Sequence, residues 1–204
     1  MKEIFENWRR YLISEQSEIF GYTISPEQRV VITNEPFTDF RNIKQEPPRW
    51  AGGKPDGLWY ACGDEWLEFI NTSLRGPLAR ARYIYEIKLS DKVLKIDNDL
   101  DFKTFYYHFR TQTFVDPSHP AEEGDAMAID WPEVQREGYA GVEVCPYLGS
   151  MRTKFDWYYG WDVASGCVWD SAGVTSVSLL ASRQDVIEKE LSILMYVRGE
   201  SQMK

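Results

Sequence analysis

Arg82-Tyr83-Ile84-Tyr85-Glu86-Ile87-Lys88-Leu89 is the stretch on which the fold turns. Tyr83, Tyr85, Ile87 and Leu89 fall at every second place and share one face of an extended chain, the pattern of a half-buried strand. A tight turn at Ser90-Asp91 leads into Val93-Leu94-Lys95-Ile96, which reads as the next strand. Upstream, Val30-Val31-Ile32-Thr33 is a short β-branched run that stops at Asn34-Glu35-Pro36, where the proline biases Glu35 toward extended geometry. Gly57-Leu58-Trp59-Tyr60-Ala61-Cys62 is another strand. Residues 38–57 between them hold three prolines and three glycines around Trp50, which predicts a long ordered loop.

Helical spacing appears around these strands. Ile4, Phe5, Trp8, Tyr11 and Leu12 predict an amphipathic helix over residues 2–18, and Val186, Ile187, Leu191, Leu194 and Met195 predict another over 183–197. Gly63-Asp64 can cap a helix carrying Trp66, Leu67 and Ile70. Phe102, Phe105, Tyr106 and Phe109 mark a further helix, and Asp130 with Pro132 marks the start of a short one that exits at Gly138. Gly141-Val142-Glu143-Val144-Cys145 reads as an alternating strand with Glu143 toward solvent. The aromatic run Trp157 to Ala164, Ser165-Gly166 and Cys167-Val168-Trp169 read together as a hairpin on a glycine turn, with a last strand over Val174 to Leu180. Strands and helices mix without βαβ repetition. The expectation is one α+β domain over residues 1–204, with a core about 30–170 and a mainly antiparallel sheet flanked by helices.

Composition narrows the function classes. A net charge of −9 with no stripe of Lys and Arg disfavours binding of duplex DNA through its phosphates. The first ten residues lack an apolar signal core and no membrane-length apolar run occurs, which predicts a cytoplasmic protein without a membrane partner. Cys62, Cys145 and Cys167 have no C-x-x-C spacing and sit in apolar runs, so they are expected to be buried reduced thiols. His108 and His119 stand near no second pair of ligands, so no metal site is expected. Asp97-Asn98-Asp99-Leu100-Asp101 resembles a calcium loop but lacks its glycine and its closing glutamate, and reads as a solvated turn. With eight Trp, twelve Tyr and ten Phe, the chain has more rings than its core needs, so some should line a groove.

In order, the chain offers a strand ending in Thr33-Asn34, then Lys54-Pro55-Asp56-Gly57-Leu58-Trp59-Tyr60-Ala61, then Tyr83 to Leu89, and late in the sequence Tyr159-Gly160-Trp161-Asp162. In this order of elements, over roughly residues 30 to 170, it resembles the small, phage-type ADP-ribosyltransferases. That resemblance implies a split antiparallel sheet and NAD as the substrate. It implies transfer of ADP-ribose to a protein or nucleic-acid acceptor. Thr33 and Asn34 match the family's first motif, where many members carry His or Arg. Trp59, Tyr60 and Ala61 match the second, and Asp162 the late acidic position, with Glu143 in reserve.

These residue types suit that chemistry. Departure of nicotinamide develops an oxocarbenium ion, which a fixed carboxylate, Asp162, opposes while bonding the ribose hydroxyls. A flat cationic ring is held by the face of Trp59, Tyr60 or Tyr159. Trp59 and Tyr60 alternate across a strand, so only one of them can face a ligand. Lys54, Arg29 or Arg41 can donate to the pyrophosphate. Two rival readings use the same residues: a non-catalytic aromatic-rich binding or inhibitor protein, and a sugar-processing site built on a carboxylate pair and Trp faces.

Overall fold

The computed structural model describes residues 18–19, 22–66, 69, 82–112 and 127–183. Of the helices expected over 2–18 and 183–197 only Glu18, which stands in a strand, and Arg183 are described; Leu67, Ile70, His119 and the loop through Pro117 and Pro120 lie outside the described residues.

The chain is mixed α and β. Its strands are β1 (Glu18–Ile19), β2 (Tyr22–Thr23), β3 (Arg29–Thr33), β4 (Leu58–Cys62), β5 (Tyr83–Leu89), β6 (Val93–Ile96), β7 (Arg110–Thr111), β8 (Ala128–Ile129), β9 (Gly141–Val144), β10 (Ser165–Val168) and β11 (Val174–Ser182). Its helices are α1 (Asp99–Phe109), α2 (Trp131–Arg136), α3 (Gly149–Arg152) and α4 (Asp156–Tyr159), with a 3-10 turn at Ser171–Gly173. A seven-stranded sheet runs β11-β5-β3-β4-β10-β9-β6, antiparallel at every step except β6 against β9. The mainly antiparallel α+β class agrees with the alternation of β5 and its neighbours.

Along β5, Tyr85 and Ile87 are buried on the expected face, and Ile84 is fully buried on the other with Ile24, Val30 and Ala181. This sheet region is therefore covered on both sides, which the alternation alone does not reveal. The largest core lies over β9, β10 and α1. There Phe102 stacks on Trp157 at 5.0 Å, and Trp131, Trp157, Trp161 and Trp169 are each at most 1% exposed. Ten rings among the described residues are buried in this way, these four indoles included. Fully burying one such side chain contributes about 2 kcal/mol or more.

Caps follow the sequence. Asn98 accepts from the backbone N–H of Leu100 and Asp101 to start α1, which gives the acidic turn at 97–101 a structural role. Asp130 accepts from Glu133 N–H to start α2, with Pro132 in its first turn, and Gly138 takes φ +93° just beyond it. The loop before β4 is pinned by a buried amide pair: Gln45 Nε2 donates to Asp56 O at 2.7 Å, and Asp56 N–H donates back to Gln45 Oε1 at 3.0 Å.

Two local readings are corrected. Residues 157–169 do not form a hairpin: Trp157, Tyr158 and Tyr159 belong to α4, and Gly166 lies inside β10. A Cβ on Gly166 would collide with the Tyr60 phenol, so glycine stands there for a close approach and not for a turn. The second correction is Glu143, expected toward solvent. All of β9 is buried and Glu143 is 2% exposed, because β9 lies between β10 and β6 and both its faces are covered. Among the described residues, no helix is long and apolar enough to cross a membrane.

Candidate functional site

Two short helices and a turn assemble one polar cluster at the mouth of β10. Arg152 ends α3, Tyr159 ends α4, and Gly160-Trp161-Asp162 lead on toward β10. Arg152 Nη2 donates to Asp162 Oδ1 at 2.6 Å, and its Nε donates to Tyr159 O at 3.1 Å. The guanidinium lies 5.3 Å from the centre of the Tyr159 ring, which is 61% exposed. Among the described residues, Asp162 Oδ2 accepts no bond, and the side chain is partly exposed.

β4 contributes the other wall. Trp59 packs edge-on against Trp161, ring centres 5.0 Å apart, and Lys54 Nζ sits 5.1 Å over the Trp59 ring. The Lys54 stem passes Gly160 closely: a Cβ there would lie 3.0 Å from Lys54 Cε. Desolvation lowers the Lys54 pKa, with Arg152 adding to the shift and Asp162 opposing it. Among the described residues Lys54 makes no hydrogen bond, and it is exposed. The indole N–H of Trp161 is buried and unpartnered among the described residues, as is that of Trp157. An unmet donor of this kind costs about 1–3 kcal/mol unless an acceptor arrives.

The cluster therefore unites Lys54, Trp59, Tyr159 and Asp162. Tyr60 points the other way, as strand alternation requires. It is 0% exposed and donates to Glu143 Oε2 at 3.0 Å, while Arg29 Nε and Nη2 hold the two Glu143 oxygens at 2.6 and 2.9 Å. Burial drives the Tyr60 pKa well up, and the hydrogen bond to Glu143 is the main cause that raises that of Arg29. Glu143 thus sits in an inner ion pair apart from Asp162, and Arg29 is committed to it. Ala61 is buried, paired with Val30 and Ser165.

Thr33 and Asn34 are not brought to this cluster. Arg29 pairs with Cys62, whose N–H donates to Ala164 O, so the Asp162 segment meets the start of β3. Thr33 lies at the far end of that strand, about 13 Å away at the usual rise. There its hydroxyl donates to Glu35 O at 2.6 Å, and Asn34 is exposed. β3 and β4 are registered only at Arg29–Cys62 and Val30–Ala61, so the two strands part toward Thr33.

Sequence reasoning missed Arg152, which stands ten positions before its partner and in no motif. It also missed the pairing of Cys62 with Cys145. These two form a disulfide across 83 residues, and Cys167 alone is a free, buried thiol. Expecting three reduced thiols was therefore wrong for two of them, because their closeness depends on the register of β4, β10 and β9. The sulfurs of Cys62 and Cys145 and a Glu143 oxygen lie within 4.8 Å of one another, a possible ligand group where no metal site was expected.

A separate groove of about 270 Å³ runs between α1 and β6, lined by Leu94, Thr104, Phe105, His108 and Glu137. His108 Nε2 and Glu137 Oε1 are 2.6 Å apart among its lining residues, with the side chains 57% and 36% exposed. Comparison with protein-family models, curated proteins and solved structures finds no match to this chain.

Proposed function

We propose that the cluster around Asp162 binds NAD and that the protein transfers ADP-ribose to a protein or nucleic-acid acceptor. One observation carries the reading: the Asp162 carboxylate stands 2.6 Å from Arg152, with Lys54, 5.1 Å over the Trp59 ring, beside it. The two cations suit a pyrophosphate. The partly exposed Asp162 carboxylate suits ribose hydroxyls, and the exposed Tyr159 face suits a flat cationic ring. The parting of β3 from β4 supports the split-sheet likeness, whereas the distance of Thr33 and Asn34 from the cluster counts against a role for them at the same ribose.

In this reading the bond between nicotinamide and ribose C1′ breaks, and nicotinamide leaves with the electron pair. Asp162 opposes the positive charge on the sugar, and the acceptor attacks C1′ and loses a proton. Glu143 is left as a structural residue. The test is nicotinamide release from NAD, alone and with cell lysate, by the wild type and by Asp162→Asn. The variant should lose about a hundredfold or more of the rate while keeping its fold. Equal rates overturn the proposal. Absence of NAD binding by the wild type favours the non-catalytic binding protein, for which Trp50, at 51% exposed, and Tyr107, at 59%, offer contact surface.

A further inference from the structure

We infer that Cys62, Cys145 and Glu143 form a site for a thiophilic divalent cation of the zinc class when the Cys62–Cys145 disulfide is reduced. The inference is independent of the NAD reading. Cys62 ends β4 and Cys145 follows β9, the two strands that flank β10. Ser165 pairs with both Ala61 and Val144, so the cysteines meet across the entrance to β10, their Cα atoms 6.4 Å apart. Backbone bonds hold both in place: Cys62 N–H donates to Ala164 O at 3.0 Å, and Cys145 N–H to Ile96 O at 3.1 Å. The sulfurs stay neighbours because the sheet register puts them there, whether or not they are bonded.

The donor set suits a soft cation. Two thiolates and one carboxylate, all within 4.8 Å of one another, match zinc preferences and leave a fourth position for water. Glu143 has capacity to spare. Its Oε2 accepts from Arg29 Nε and Tyr60 Oη, but its Oε1 accepts only from Arg29 Nη2, leaving a lone pair. Charge closes too. Two thiolates and Glu143 carry three negative charges, against one on Arg29 and two on the cation, so the buried assembly is neutral. Cys145 is only half-buried, which gives a reductant and an ion a way in.

The steps balance. A dithiol supplies two electrons and two protons and is itself oxidised to a disulfide, which leaves Cys62 and Cys145 as thiols. The cation then displaces both thiol protons as the sulfurs ligate it. The site would clasp the two ends of residues 146–164, the segment that bears Arg152, Tyr159 and Asp162.

The experiment is anaerobic titration of the full chain with cobalt(II), after reduction by a phosphine and after oxidation. The reduced protein should take up one cobalt per chain, with a sulfur-to-cobalt charge-transfer band and the strong visible bands of four-coordinate cobalt. The oxidised protein should show neither. Cys145→Ser should weaken binding about a hundredfold or more, and Cys167→Ala should leave it unchanged. Glu143→Gln should weaken it by about ten- to a hundredfold. Because that variant also disturbs the core, X-ray absorption of the zinc-loaded wild type reads the shell directly, with two sulfurs and lighter ligands expected. No charge-transfer band in the reduced wild type, undiminished binding by Cys145→Ser, or a shell of sulfur alone or with none overturns the site.

Discussion

Glu143 and Asp162 each meet an arginine at 2.6 Å, yet they live under different physics. The Glu143 side chain is 3% exposed on an inner strand and its partner lies 114 residues away, whereas Asp162 is 35% exposed and its partner lies 10 residues away. A buried pair is hard to break, because whichever charge remains is stranded away from water. A pair on the rim is cheap to open, because water or a ligand can take either partner. The same chemical contact thus holds the sheet together in one place and offers a site in the other.

Cutting the inner pair is the harshest way to test this contrast. Glu143→Ala should cost about 3 kcal/mol or more in a denaturant titration, since it also strands the Tyr60 hydroxyl. A loss below 1 kcal/mol would erase the distinction between the two carboxylates. On the rim, Asp162→Asn should move stability by about 0.5 kcal/mol or less in the same titration, while nicotinamide release falls about a hundredfold or more.

A subtler effect is expected from Lys54→Met, which should weaken NAD binding by about tenfold in calorimetry, the loss of one charge-assisted contact. Its stability should hold or rise. The Lys54 pKa is lowered in the folded protein, so the charge opposes folding in full below that value, and the opposition fades as pH rises from it to the ordinary lysine value, where it ends. Removing the charge removes that opposition at neutral pH.

The smallest effect concerns alkaline pH. Burial raises the Tyr60 pKa, so above the ordinary tyrosine value unfolding releases a proton that the folded protein keeps, and stability should decline above about pH 10. Tyr106, Tyr147 and Tyr158 are raised by burial too and add to the decline. Tyr60→Phe should lose stability less steeply there, by the share of one proton, in unfolding curves taken from pH 9 upward. An identical slope would place Tyr60 in a wetter setting than the inner strand.

Elements whose signal is local were readable from residues alone. The alternation of Tyr83 to Leu89 gave β5, aromatic spacing gave α1, and Asp130 with Pro132 gave α2. The Trp59–Tyr60 alternation foretold that one ring would be core, and Tyr60 is that ring. Where a residue serves a distant neighbour, local rules misled. Gly166 looked like a turn because its reason, the Tyr60 phenol, arrives from another strand. Glu143 looked solvated because a polar residue in an alternating strand usually is, and Arg29 was not visible as its partner.

By itself the sequence determined the cap of α2, the run of strands from β3 to β6 and the acidic, aromatic character of the chain, because propensity, periodicity and capping act within a few residues. Only the tertiary structure decided that Lys54, Trp59, Arg152 and Asp162 stand together, that Glu143 is inside with Arg29, and that Cys62 meets Cys145. Each depends on how strands far apart in the chain are registered, and a one-residue slip in that register would turn the same side chains to the opposite face.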